Sequence, residues 1–94
     1  MNDQKSLKIV VSGQVQGVNF RSFIYQQALK LGLKGYVRNL PSGFQVEIQV
    51  EGIEKSLNQL IEVAKIGPPA AEVTDLKLFW SAYQARYEKF QIRY

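Results

Sequence analysis

Residues 11–21 read Val-Ser-Gly-Gln-Val-Gln-Gly-Val-Asn-Phe-Arg, and this stretch could bind an anion. Alternating Leu7, Ile9 and Val11 give way to Gly13 and Gly17, and helical spacing then begins at Phe20. Arg21 therefore stands in the first turn of a helix. The first N–H groups of a helix have no intrahelical acceptor, and the helix dipole favours negative charge beside them. Glycine lets the preceding backbone curl so that several N–H groups converge on one oxyanion. A cation at that end is opposed by ~0.3–1 kcal/mol, unless an anion lies between it and the amides. A guanidinium could then grip two oxygens of a phosphate. The same letters also describe a surface arginine after an ordinary strand-to-helix turn, and spacing alone leaves the two readings level. The loop lacks the Gly-Lys-Ser/Thr ending of a nucleotide P-loop.

The residue types missing from the chain narrow the chemistry further. It has no histidine and no cysteine, which excludes Ser-His and Cys-His nucleophilic catalysis, a disulfide framework and a thiolate metal site. The eight acidic residues form no close cluster, so neither a transition metal nor any other cofactor is expected. A net charge of +4 favours an anionic partner without saying whether it is a small phosphorylated molecule or a nucleic acid. Asn39, just ahead of Leu40-Pro41-Ser42-Gly43, is a second polar candidate, although asparagine in that place commonly serves the turn itself.

The elements that would carry these residues follow from periodicity. With 94 residues the chain has room for one domain, and 46% hydrophobic against 21% charged residues argues against disorder. Residues 1–6 are polar and are expected to fray. A strand from Leu7 is followed by the glycine loop and a helix with Phe20, Ile24, Ala28 and Leu31 on one side, ending at Gly32. Residues 36–39 form a short strand. Phe44, Val46, Ile48 and Val50 then alternate with Gln45, Glu47, Gln49 and Glu51, as in a strand with one buried and one wet face. A second helix carries Leu57, Leu60, Ile61 and Ala64 and stops at Gly67-Pro68-Pro69. Residues 73–80 form a fourth strand with Leu76, Leu78 and Trp80 in period two. Phe90, Ile92 and Tyr94 suggest an edge strand. The order β-α-β-β-α-β predicts an α+β, ferredoxin-like sandwich over residues 1–94, an antiparallel sheet with two helices on one face.

The sequence also resembles a known family. Val11-Ser12-Gly13-Gln14-Val15-Gln16-Gly17-Val18-Asn19-Phe20-Arg21 is similar to the first acylphosphatase motif, Val-x-Gly-x-Val-Gln-Gly-Val-x-Phe-Arg, at every fixed position. Gly35-Tyr36-Val37-Arg38-Asn39 followed by Gly43 resembles the second motif. Gly67-Pro68-Pro69-Ala70-Ala71 and Phe90-Gln91-Ile92-Arg93-Tyr94 resemble later segments, so the likeness covers essentially the whole chain. It implies an enzyme that hydrolyses acyl phosphates to a carboxylate and inorganic phosphate without a metal. It further implies that Gln16, Gly17, Val18, Asn19, Phe20 and Arg21 cradle the phosphoryl group, that Arg21 binds it, and that Asn39 holds the attacking water. One departure stands out: Gly43-Phe44-Gln45-Val46 has one residue more than the family pattern, which calls for a longer turn or a bulge.

Two other readings compete with a hydrolase. An RNA-recognition domain shares the element order and the basic charge, and Lys34-Gly35-Tyr36 begins its strand signature, but Val37, Arg38 and Asn39 break it. A phosphate-binding regulatory protein of the same fold would keep the loop without efficient turnover. Lys34 and Arg38 read as solvated strand charges, and Trp80, Tyr83 and Tyr87 as core or edge packing. The polar start is not expected to act as a signal peptide, and no apolar run approaches the ~20 residues that span a bilayer. A monomeric cytoplasmic protein is expected, acting on a small acyl phosphate, with no nucleic-acid or membrane partner.

Overall fold

The strand that leads into the glycine loop alternates Leu7, Ile9 and Val11, and it lies inside the sheet with a partner on each side. In the computed structural model, which describes residues 3–94, β1 (Gln4–Gln14) pairs antiparallel with β3 (Gln45–Ile53) on one side and β4 (Glu72–Ala82) on the other. The full sheet order is β4-β1-β3-β2-β5, with β2 at Lys34–Asn39 and β5 at Phe90–Arg93. Leu7, Ile9 and Val11 lie opposite Val50, Ile48 and Val46, and directly opposed residues project to the same face. All six are fully buried beneath α1 (Phe20–Lys30) and α2 (Glu54–Ile66). Phe20, Ile24 and Ala28 from α1 and Leu57, Leu60, Ile61 and Ala64 from α2 close the core at the spacings expected. No helix among the described residues is long and apolar enough to cross a membrane.

Several details differ from the expectation. The first strand begins at Gln4, within the segment expected to fray: residues 4–6 pair with β3 and residues 5–6 also with β4, and Ser6 is buried and accepts a hydrogen bond from Gln49 Nε2 (3.0 Å). Residues 1–2 lie outside the described residues. The sheet is mixed, because β5 runs parallel to β2. The reason lies in the path of residues 83–89. After β4, on one edge of the sheet, they cross the helix-free face and deliver the chain to the far edge beside the start of β2, where Gly35 pairs with Phe90.

That crossing also changes the expected wet face of β3. Glu47 and Glu51 are 8% and 2% exposed. Glu51 accepts hydrogen bonds from the backbone N–H groups of Gln84 (3.1 Å) and Arg86 (3.0 Å) and so ties the crossing segment down. Glu47 accepts from Arg38 Nε (2.7 Å) and the Tyr36 hydroxyl (3.0 Å), and the Tyr87 ring meets Tyr36 edge-on. Arg38 is thus an ion-pair partner and not a free strand charge. Burial above all, and then the hydrogen bond to Glu47, raises the Tyr36 phenol above its ordinary value of 10.0. The fold therefore favours the neutral phenol, and this contribution is present below pH 10 and lost as pH rises through the raised value. Phe44, expected inside, precedes β3 and is 55% exposed, while Leu78 and Trp80 stay partly exposed because β4 is an edge strand.

The extra residue near Gly43 sits in the turn. Asn39 faces Val46, the Leu40 N–H donates to the Gln45 carbonyl (2.9 Å), and the β2–β3 ladder runs without a register shift. A longer loop with Gly43 at φ 87° absorbs the insertion, so Asn39 keeps its place at the end of β2.

Glu51→Ala is expected to lower unfolding stability by about 1–3 kcal/mol, because two backbone donors lose a charged acceptor. A urea midpoint indistinguishable from that of the unaltered protein would contradict this role for the crossing segment.

Candidate active site

The loop between β1 and α1 is shaped by its backbone before any side chain contributes. At Gly13 (φ 133°) the register between β1 and β4 shifts, and a Cβ there would overlap the Glu72 carbonyl oxygen. Gly17 (φ 74°) and Asn19 (φ 64°) both adopt left-handed conformations, which curls the chain into α1. Such reversals turn successive N–H groups to one side. Asn19 is the helix N-cap, yet its side chain makes no capping hydrogen bond, and the first turn holds no acidic residue. Asparagine is among the best capping residues, so α1 begins without the satisfaction its sequence could give it. Its leading N–H groups are left for an anion.

Arg21 and Asn39 come to the same cleft from different directions. The cleft has a volume of about 300 Å³, and its lining includes Val15, Gly17, Asn19, Arg21, Asn39 and Tyr94. Among the described residues no carboxylate pairs with Arg21, whose guanidinium instead lies 4.7 Å from the centre of the Tyr94 ring. Asn39 contributes the most unusual atom. Its Oδ1 is buried, and no donor among the described residues reaches it. An unsatisfied buried acceptor costs ~1–3 kcal/mol, so one that lines a cleft beside a free cation calls for an external donor. The site thus offers a concave set of amides, a guanidinium and one acceptor for an O–H group. No group of three His, Cys, Asp or Glu side chains that could hold a metal ion lies together among the described residues.

A family profile for acylphosphatase matches residues 7–92. The chain belongs to the acylphosphatase family. It is 46% identical over 88 residues to an acylphosphatase of Dehalococcoides mccartyi, covering 94% of this chain and 97% of the relative. Identity to an acylphosphatase of Caldivirga maquilingensis is 49% over 88 residues, covering 94% and 93% of the two chains. The crystal structure of the acylphosphatase from Bacillus subtilis superposes with a TM-score of 0.91 at 39% identity, over 96% of this chain and 99% of that one. The ferredoxin-like fold expected from periodicity is thus the fold of a solved acylphosphatase.

Of the residues singled out in the sequence, Gly17, Asn19, Phe20, Arg21 and Asn39 line this one cleft. Gln16 and Val18 do not. Val18 packs against the core, and the Gln16 side chain turns to the β2–β3 hairpin. Phe20 also serves the core, being 1% exposed. Val15, Ser22, Ile92 and Tyr94 line the cleft without having been anticipated. For Ile92 and Tyr94 the available signal was their presence in the closing segment that resembles the family, but only the parallel pairing of β5 shows that this segment ends beside Asn39.

Replacing Asn39 by alanine removes the unpaired acceptor. Thermal unfolding of Asn39→Ala should occur at the same temperature as the unaltered protein or higher. A large loss of stability would mean that this side chain serves the turn.

Proposed function

We propose that this protein hydrolyses acyl phosphates to a carboxylate and inorganic phosphate, with the residues of the β1–α1 loop, Arg21 and Asn39 as its working parts. The observation that carries this reading is the buried, unpaired Asn39 Oδ1 in the same cleft as the Arg21 guanidinium. The names of the relatives agree with it.

In this mechanism the loop amides and Arg21 hold the nonbridging phosphoryl oxygens, Arg21 by paired hydrogen bonds. Oδ1 of Asn39 accepts a hydrogen bond from a water and holds it in line with the bond to be broken. The water oxygen attacks phosphorus, the bond between phosphorus and the acyl oxygen breaks, and the carboxylate departs with the bonding electrons. Its conjugate acid has a pKa of ~4–5 by analogy with side-chain carboxyls, so no general acid has to protonate it. The proton of the attacking water passes to a phosphoryl oxygen of the substrate. Phosphoryl transfer of this kind depends mainly on alignment and on stabilising charge at the equatorial oxygens. A chain with no histidine can supply both. Every group invoked comes from one copy of the chain, and none of the steps calls on a metal ion.

Benzoyl phosphate should be hydrolysed in the presence of EDTA. Arg21→Ala should abolish turnover and inhibition by inorganic phosphate together. Asn39→Ala should cut kcat by about a hundredfold or more while inhibition by phosphate stays within a few-fold, because its role is alignment of water. Activity that appears only on adding a divalent metal would contradict the mechanism.

A further inference from the structure

Gln16 is one of the two loop residues expected to cradle phosphate that do not line the cleft, and its side chain has another partner. Its Nε2 donates to the carbonyl oxygens of Leu40 (2.9 Å) and Gln45 (2.8 Å). These two residues close the neck of the β2–β3 hairpin, where the Leu40 N–H donates to the same Gln45 carbonyl (2.9 Å). Leu40 directly follows Asn39, and Gln16 directly precedes Gly17. A single planar amide, with both hydrogens engaged, therefore joins the anion loop to the residue beside the water-holding asparagine.

We propose that Gln16 is a positioning residue that sets the alignment of Asn39 against the phosphoryl group bound by the loop. The proposal rests on the hydrolytic reading above. Two other hydrogen bonds dock the hairpin on the end of β1: Gly13 N–H to the Phe44 carbonyl (2.9 Å) and Gln45 Nε2 to Ser12 Oγ (3.2 Å). Both start from residues before the loop and reach residues beyond the turn. Among the described residues, only Gln16 bonds a loop residue to the Asn39 side of the hairpin. Removing its amide leaves neither carbonyl unpaired, since Leu40 O still accepts from the Gly43 N–H (3.3 Å) and Gln45 O from the Leu40 N–H. The hairpin should stay folded and docked, and what should be lost is alignment. Misplacement by about 1 Å can cost on the order of a hundredfold in rate.

The test is a double-mutant cycle on benzoyl phosphate hydrolysis, with inhibition by inorganic phosphate measured on each variant. Gln16→Leu should reduce kcat about tenfold or more and shift the phosphate inhibition constant by less than about threefold. In the Asn39→Ala background the same change should cost less than about twofold, because there is no longer a water-holding group to align. An undiminished Gln16→Leu effect in that background would overturn the proposal, as would loss of phosphate inhibition in step with kcat. Gln16→Glu gives a second readout that needs no loss of side-chain bulk. Its carboxylate would repel the two carbonyl oxygens, whereas the protonated acid can donate to one of them. Its kcat relative to the unaltered protein should therefore rise as pH falls below about 5, and a flat ratio would count against the assignment. An unaltered protein that fails to hydrolyse benzoyl phosphate overturns the hydrolytic reading and this proposal with it. An active unaltered protein with a fully active Gln16→Leu overturns this proposal alone.

Discussion

The site depends on placing positive charge where a protein would normally avoid it. The N-terminal end of α1 already carries the positive pole of its dipole, and Arg21 adds a full charge in the first turn with no acidic residue nearby. Two devices that usually relieve such an end are missing: the Asn19 side chain does not cap the helix, and no carboxylate of the described residues pairs with the arginine. The nearest interaction of the guanidinium is with the face of Tyr94, an exposed cation–π contact that contributes ~0.5–1 kcal/mol at most. The field is left to be neutralised by a ligand. A tetrahedral dianion has the charge and the several oxygens that such a cradle can satisfy.

The rest of the fold can be read as the means of holding that cradle still. β1 is paired along both edges, so the loop hangs from an interior strand of the sheet. β2, two places away, ends at Asn39 on the same rim, and the hairpin that follows returns as β3 directly against β1. The crossing segment, fastened by Glu51, brings β5 alongside β2 in parallel, so that Tyr94 arrives next to Asn39. Groups from the β1–α1 loop, the first turn of α1, Asn39, Ile92 and Tyr94 meet in one cleft because three strands end at the same side of the sheet.

The parts of this arrangement that sequence makes legible are those set by local geometry. Period-two alternation identifies the core faces of β1 and β3, and the spacing of Phe20, Ile24 and Ala28 identifies the buried side of α1. Arg21 and Asn39 are singled out by motif resemblance, with the helix-end argument giving Arg21 a physical reason, and the fold brings both to one cleft. What stayed hidden depends on segments distant in sequence. Alternation says that Glu47 and Glu51 share a face, but not that residues 83–89 and Arg38 will cover it. It marks Phe90 and Ile92 as a strand without giving the direction of pairing. The two carbonyls that occupy Gln16 lie 24 and 29 residues downstream, and no property of the loop announces them. Phe44 fell outside because the turn took up the inserted residue, a choice made by Gly43 and Ser42 and not by hydrophobicity.

The central claim is that an anion binds between the amides of residues 17–21 and the Arg21 guanidinium. Titration of the ¹⁵N-labelled protein with inorganic phosphate tests it directly, because each amide reports for itself. The account predicts saturable shifts concentrated at Gly17, Val18, Asn19, Phe20, Arg21 and the Arg21 Nε–H, and their disappearance in Arg21→Ala. Shifts spread over the surface lysines, or a loop whose amides do not respond, would contradict it.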